Sequence, residues 1–415
     1  MSTETTPVEP EAPVADSPTI PDPAVAAMAR LDSIDAYRGL VMFLMMAEVL
    51  RFGQMARNFP ESEFWRFLAT QQDHVEWIGC VVHDMIQPSF SFLVGVALPF
   101  SIASRMAKGQ SRGVMSAHAL WRALVLVLLG VFLRSVGRSQ TNWTFEDTLS
   151  QIGLGYPFLF LLGWYSRRVQ GAALAVILAG YWLLFAAYPA PGTGFDYPAH
   201  GVPADWPHLL GGFEAHWNKN SNPAWAFDAW FLNLFPREKP FLYNGGGYAT
   251  LSFIPTLGTM IMGLLAGGLL KERRTPWSKL GLLAAAGVAA TAVGWGLGAA
   301  GLVPVVKRIW TPSWTLYSGG IAFLTLAAFY LVMDMLGWKR WAFPLRVIGM
   351  NSIAAYCLAH LVEDFIVSAF RTHLGPDVFK GFGPEYEPFV QGVATLSILW
   401  LVLFWMYRRR LFLKV

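Results

Sequence analysis

Ionisable side chains open an apolar stretch that is long enough to cross a membrane. His74 and Glu76 precede the stretch 78–103, and His83 and Asp84 fall just inside it. A spanning helix needs about 20 apolar residues. Charged groups at that depth are costly, so they usually face a cavity and mark a functional site. Histidine titrates near neutral pH, and it therefore suits proton transfer or nucleophilic attack.

His74 is the first candidate for chemistry. As a general base it would take a proton from an amine or hydroxyl, and as a nucleophile it would carry an acyl group itself. Glu76 and Asp84 are candidates to orient its ring or to stabilise its cation. Adjacent helical side chains point about 100° apart, so Asp84 and His83 are not expected to face one cavity together. We expect Asp84 to face it, because Asp84 begins a small, polar helical face that continues with Pro88, Ser91 and Gly95.

Other polar residues interrupt the apolar segments or flank them. Glu48 lies in mid-segment and is either a catalytic group or a structural carboxyl kept neutral by burial. Lys307 and Trp310 belong to a basic and aromatic cluster at the entrance to a segment. Asn351 lies inside another segment, where a hydrogen bond between helices is the competing interpretation. Together with Trp77, the last three are predicted to contact the substrate.

The composition is that of a polytopic membrane protein. Of the 415 residues, 54% are hydrophobic and 14% are charged, and the mean hydropathy is +0.42. A soluble domain has about 25% charged residues. The net charge is only +4, and the sequence has no strongly basic region of the kind that binds nucleic acids. Cys80 and Cys357 both lie in apolar segments without zinc-ligand spacing, so no metal is expected.

Hydropathy predicts an all-α bundle of about ten transmembrane helices. The predicted segments are 37–56, 78–104, 119–138, 149–166, 170–188, 249–270, 279–302, 313–334, 344–369 and 389–407. Residues 1–29 are rich in Pro, Thr, Glu and Ala, so we expect a disordered cytoplasmic tail. Residues 30–415 are expected to form one transmembrane domain. Its long outer loop, 189–248, is rich in Trp and Asn and is either a packed lid or a surface that stacks on sugar rings.

The distribution of basic residues predicts an orientation. Most of the 31 Lys and Arg residues fall in connections that share one side of the bundle with the N-terminus. The positive-inside rule then places both termini in the cytoplasm and His74 at the outer side. We expect an integral protein of the inner (plasma) membrane that contacts lipid. Its oligomeric state, including a homodimer, is left open.

Several blocks of the sequence resemble the heparan-α-glucosaminide N-acetyltransferase family, including its bacterial members. The blocks are RLDSIDAYRGL (30–40), HVEWIGCVVHDMIQPSFSFLVGVALPFS (74–101), DTLSQIGLGY (147–156), KRIWTPSWTLYSGG (307–320) and IGMNSIAAY (348–356). They occur in the family's order and cover nearly all of the chain except its N-terminal tail. Two positions depart from the family pattern, since Glu48 stands where members often have Asn and Gln151 where many have Arg.

The resemblance implies a transmembrane acyltransferase. It would move an acetyl group from cytosolic acetyl-CoA to an amino sugar or glycan on the outer side, and His74 matches the catalytic histidine. Acetyl-CoA would be a cosubstrate whose phosphates need cationic partners, and Arg38, Arg105 and Arg122 are the inner cations predicted to bind them. The alternative is a transporter or flippase for a sugar or lipid-linked intermediate, in which the buried carboxylates would be proton or substrate sites.

Overall fold

The computed structural model describes residues 31–413, which group as one compact unit. Across these residues the secondary structure is helical, with an isolated antiparallel bridge between Ile78 and Val306. Eight helical stretches of the described chain are long and apolar enough to cross a bilayer, and a ninth is a pair of helices bent by 69°. The prediction of an all-α, polytopic membrane protein is confirmed. The predicted tail at 1–29 lies outside the described residues.

The α-helices are labelled here in chain order. They are α1 (Asp32–Met46), α2 (Phe52–Asn58), α3 (Glu63–Gln72), α4 (Ile86–Ala107), α5 (Arg112–Ser135), α6 (Thr148–Leu162), α7 (Arg167–Ala187), α8 (Pro223–Phe231), α9 (Phe253–Lys271), α10 (Pro276–Ala299), α11 (Pro312–Phe329), α12 (Phe343–Gly349), α13 (Ser352–Leu361), α14 (Glu363–Leu374) and α15 (Glu387–Arg408). Short 3₁₀ turns extend α1 (Ala47–Leu50) and precede α4 (His83–Met85).

All ten predicted segments correspond to helices, and four of them differ from the prediction. The segment predicted at 37–56 is interrupted at Arg51, which separates α1 and its 3₁₀ turn from α2. The helix α6 has 15 residues, fewer than the roughly 20 that cross a bilayer. The segment predicted at 344–369 is divided among α12, α13 and α14. The segment predicted at 78–104 becomes helical only at His83, because hydrogen bonds from Gly79 to Val305 and from Val81 to Asp84 hold the residues before it as a loop.

Glycines bring α4 and α9 together at the centre of the bundle. A Cβ atom added to Gly95 of α4 would lie 1.9 Å from the carbonyl oxygen of Met260, and one added to Gly263 of α9 would lie 1.9 Å from that of Phe92. Small residues allow such close backbone contact between membrane helices. The tightly packed pair gives a rigid support to the start of α4, where the ionisable residues lie.

The long connection 189–248 is packed rather than extended. It contains α8 and several 3₁₀ turns. Trp217 in this connection is fully buried with Trp77 and with Tyr181 and Phe185 of α7. The connection therefore forms a layer over one end of the bundle, and its last residue, Tyr248, reaches the cavity described below.

Candidate active site

A cavity of about 250 Å³ lies between the start of α4 and the ends of α1, α5 and α6. Apolar residues of α1 and α4 form part of its wall. The titratable residues of the wall come from separate parts of the chain, and they are Glu48, His74, His83, Arg134, Glu146, Asp147, Tyr248, Lys307, Tyr356 and His360. A small space lined by so many ionisable groups suits proton transfer better than it suits the binding of an apolar ligand.

His74 is held by a buried ion pair. Its Nδ1 lies 2.8 Å from Oδ1 of Asp84 and 3.0 Å from Nζ of Lys307. Lys307 in turn donates to the same Asp84 oxygen over 3.1 Å. The side chain of Asp84 is 0% exposed and that of Lys307 is 6% exposed, whereas that of His74 is 35% exposed. Asp84 thus lies behind the histidine without exposed surface, while the mostly buried Lys307 shares the cavity wall with the histidine.

Local backbone geometry explains how these three residues meet. Asp84 lies in the 3₁₀ turn before α4, and its Oδ2 accepts the backbone N–H groups of Val75 and Val81. These bonds fold the loop after His74 back over the start of α4. Lys307 precedes α11, and its neighbour Arg308 donates to the carbonyl oxygen of Val75. The segment that carries Lys307 is therefore hydrogen-bonded both to Asp84 and to the loop residue that follows His74.

The surroundings keep His74 uncharged at neutral pH. Burial lowers its pKa below the usual 6.5, and although Asp84 opposes this shift, the nearby Lys307 ammonium adds to it. Burial also lowers the pKa of Lys307, which Asp84 partly restores. A neutral imidazole that donates through Nδ1 to Asp84 keeps an unprotonated Nε2. Within residues 31–413 no protein group hydrogen-bonds that Nε2, so its lone pair is available for reaction.

The structure reverses one expected orientation. His83 lines the cavity, whereas Asp84 has no exposed surface and reaches His74 from behind. The two residues do point in different directions, as neighbours on a helical turn must. The sequence pattern assigned the cavity to Asp84 because it counted only the small, polar face of α4. The loop 75–82 covers that face at its N-terminal end.

Several cavity residues were missed from the sequence. Arg134 lies near the end of α5, where a long basic side chain commonly extends to the membrane surface and so gives no signal of a site. Glu146 and Asp147 precede α6, and Asp147 caps that helix through bonds to the N–H groups of Leu149 and Ser150. Burial raises the pKa of both acids. The signal that could have identified them is the acidic pair directly before an apolar helix. Carboxylates close to a membrane segment are costly to bury and usually mark a functional site.

Four of the residues predicted for catalysis or substrate contact neither line this cavity nor bond to His74. Glu76 accepts a hydrogen bond from Trp206 and pairs with His208 on an exposed surface. Trp77 is 0% exposed and donates to the carbonyl oxygen of Trp217. The other two are also buried by packing. Trp310 donates to Thr259, and Asn351 bonds the backbone of Leu411 and Leu413.

A second cavity brings two of the three predicted donor cations together. Arg105 and Arg122 line a space of about 520 Å³ between α4, α5 and α6. Arg122 donates to the hydroxyl of Tyr156, and its buried Nε has no hydrogen-bond partner within the described residues. Arg38 is not part of this wall, and its guanidinium lies 3.6 Å from Asp35. The two guanidinium groups on its wall make this cavity suitable for an anion.

Three helices, α4, α5 and α6, line both cavities. On α4, Phe90 lines the first cavity and Leu98 the second, a separation of about 12 Å at 1.5 Å per residue. On α6, Thr148 and Tyr156 are spaced in the same way. The two cavities are therefore about two helical turns apart along α4 and α6.

No protein-family model matches this chain. It is 23% identical over 434 residues to heparan-alpha-glucosaminide N-acetyltransferase from Homo sapiens, an alignment that covers 93% of this chain and 60% of the relative. It is 22% identical over 443 residues to the protein of the same name from Mus musculus, covering 95% of this chain and 62% of the relative. The chain is related to the heparan-α-glucosaminide N-acetyltransferases. It spans about three fifths of the length of these two relatives.

The relation to the heparan-α-glucosaminide N-acetyltransferases confirms the resemblance in the sequence. The block 74–101 forms the site loop and most of α4, and the block 147–156 forms the start of α6. Gln151, which departs from the family pattern, is fully buried and donates to the carbonyl oxygens of Phe145 and Thr250. It joins three segments beside the cavity without lining it. No group of three or more His, Cys, Asp or Glu within residues 31–413 is arranged to hold a metal ion.

Proposed function

We propose that this protein is a transmembrane acyltransferase that moves an acetyl group from acetyl-CoA to an amino sugar or another glycan. The observation that carries the proposal is the neutral His74, backed by the buried Asp84–Lys307 pair at the wall of a polar cavity. The chain that holds this arrangement is related to acetyltransferases. A catalytic base near neutral pH needs an imidazole of this kind.

Two routes of transfer are compatible with the geometry. In the first, Nε2 of His74 takes a proton from the acceptor while the acceptor atom attacks the thioester carbonyl and the C–S bond breaks. In the second, Nε2 itself attacks the carbonyl, the coenzyme A thiolate leaves, and the acceptor then takes the acetyl group from the imidazole. Asp84 supports both routes, since it holds the Nδ1 proton and stabilises the charge that develops on the ring.

The second cavity is the proposed site of the coenzyme A nucleotide. Its phosphates would contact Arg105 and Arg122, and its pantetheine arm would lie along α4 and α6 towards His74. Arg38 remains a candidate for contact with the nucleotide outside that cavity.

We expect replacement of Arg105 or Arg122 by glutamine to raise the KM for acetyl-CoA roughly 10-fold, the loss of one charge-assisted hydrogen bond. The kcat should change much less, because a contact far from the reacting atoms contributes equally to ground-state and transition-state binding. Steady-state kinetics of the purified variants test this. Arg168→Gln is the matched control, since Arg168 is exposed and lines neither cavity. An unchanged KM in both cavity variants would place the nucleotide elsewhere.

We also propose that the protein lies in the inner (plasma) membrane with both termini in the cytoplasm. In sealed cells, and in a background with Cys80 and Cys357 replaced by serine, a membrane-impermeant thiol reagent should label cysteines placed at Asp205 and Asp377. It should label one at Lys271 only after permeabilisation. All three positions are exposed, so burial cannot explain a failure to react. Labelling at Lys271 in sealed cells would contradict this orientation.

The proposed function is tested with purified protein, acetyl-CoA labelled in the acetyl group, and glucosamine as the acceptor probe. We expect labelled N-acetylglucosamine to form and His74→Ala to prevent it. Mass spectrometry of cell-envelope glycans with and without the protein then identifies the natural acceptor. A transporter or flippase would move a sugar without consuming acetyl-CoA, so transport without acetyl transfer would favour that alternative.

A further inference from the structure

A second acid–histidine pair lies beside the first at the wall of the same cavity. Nε2 of His83 lies 3.1 Å from Oε1 of Glu48. The imidazole rings of His83 and His74 are separated by 4.6 Å between their centres. The cavity therefore contains two imidazoles, each paired with its own carboxylate, within reach of one small acceptor group.

The contacts of this second pair leave it open to a ligand. Its hydrogen bond to Glu48 uses Nε2 of His83, and no protein group within residues 31–413 bonds Nδ1. The side chain of Glu48 is 56% exposed and lines the cavity. A pair with a purely structural role in joining two helices would gain most from being sealed against neighbouring side chains, whereas this carboxylate is open to the cavity.

The position of Glu48 depends on how the first spanning segment ends. The segment tightens into the 3₁₀ turn Ala47–Leu50, and Arg51 then adopts a left-handed conformation with φ of 54°. This change of direction ends the helix beside the cavity. Glu48 is also close enough to His360 and His74 to be affected electrostatically by both. The carboxylate is thus surrounded by imidazoles and can attract a cationic group.

Transfer of an acetyl group to an amine requires two proton removals. An amino sugar is largely an ammonium ion in mildly acidic or neutral solution, and an ammonium nitrogen has no lone pair with which to attack. It loses one proton before attack and a second from the tetrahedral adduct. A hydroxyl acceptor loses only one. One histidine serves a hydroxyl, while two suit an ammonium acceptor.

We propose that His83, held by Glu48, accepts the first proton from an ammonium acceptor, and that His74 then serves the transfer step. This inference rests on the proposed acetyl transfer. The ammonium N–H bond breaks and its proton passes to Nδ1 of His83, and the free amine attacks the acetyl carbon. The new C–N bond gives a tetrahedral adduct, the second amine proton passes to Nε2 of His74, and the C–S bond breaks as the adduct collapses to the amide and the coenzyme A thiolate. One of the two protons then joins the coenzyme A thiolate, and the other leaves to solvent.

The test compares two acceptor probes at mildly acidic pH, where glucosamine is mostly protonated and hydroxylamine is mostly uncharged. With glucosamine we expect His83→Asn to lower kcat/KM about 10²-fold, the lower end of the contribution of a general base. With hydroxylamine the same variant should keep most of its rate, because no first proton has to be removed. Glu48→Gln should follow the same pattern, and the double variant should lose little more than either single variant, because the pair acts as a unit.

The hydroxylamine rate also serves as the folding control, since a misfolded variant would lose both activities. His208→Gln removes the exposed histidine of another histidine–glutamate pair and should leave both rates unchanged. If the wild-type protein acetylates neither probe, the proposed function is wrong. If the wild-type protein acetylates glucosamine and His83→Asn does so equally well, or if both probes lose activity to the same extent, the role assigned to His83 is wrong.

Discussion

Replacement of His74 by alanine is expected to reduce acetyl transfer by at least about 10²–10⁴-fold, the range of a general base. The loss should be larger if the imidazole carries the acetyl group, because the covalent route then disappears altogether. Affinity for acetyl-CoA should be unchanged, since the cations proposed to bind its phosphates line a different cavity. Transfer rates and equilibrium binding of acetyl-CoA, measured on the same preparation, test this expectation.

The pH profile gives an independent check on His74. Because burial lowers the pKa of His74 from its usual 6.5, the ring should stay neutral down to a more acidic pH. The rate should therefore be retained as the pH falls to 6.5 and should decline only below it. A glutamine at position 74 is the matched control, since it keeps a polar side chain of similar size without a titrating base. A His74→Ala variant that transfers acetyl at nearly the wild-type rate would contradict the assignment and both routes.

Replacement of Asp84 by asparagine is expected to lower both stability and activity. The carboxylate pairs with Lys307 in a space closed to solvent, and removing one member of a buried ion pair typically costs about 3–5 kcal/mol. Activity should fall as well, because His74 loses the acceptor that holds its Nδ1 proton. Thermal unfolding in detergent and steady-state kinetics measure the two effects separately.

A double variant separates the structural from the chemical role of Asp84. In Asp84→Asn/Lys307→Met the unpaired ammonium is replaced by an apolar side chain of similar length. We expect most of the lost stability to return, because no charge remains buried without a partner. The transfer rate should stay low, because His74 still lacks its carboxylate. A single Asp84→Asn variant as stable as the wild type would show that these side chains do not form an ion pair in the folded protein.

The sequence by itself determined that this is an all-α membrane protein, and it located the long apolar helices. A membrane-spanning helix is recognised from the mean hydropathy of about 20 neighbouring residues. This mean depends only on local composition, and a single polar residue changes it little. The prediction fails where contacts with residues distant in the sequence determine the backbone conformation. Residues 78–82 are apolar enough for a helix, yet hydrogen bonds to Asp84 and Val305 hold the loop that contains them.

The sequence also identified His74, Asp84 and Lys307 individually, because ionisable groups next to apolar segments are costly and rarely incidental. It did not predict that they meet. Lys307 lies 233 positions from His74 along the chain. Glu76, only two positions from His74, turns away to Trp206 and His208. Proximity along the chain is a poor guide here, since a loop directs successive side chains without a fixed period.

Only the tertiary structure decided which polar and aromatic residues are structural. Trp77, Trp310 and Asn351 have side chains suited to binding a sugar, and each is instead buried against another part of the protein. Conversely, Glu48 and His83 come from different helical segments and become a pair only because the first span bends at Arg51 beside the start of α4. Residue type reports what a side chain is able to do. Which partner it meets depends on packing between distant segments, and that information is not contained in local sequence patterns.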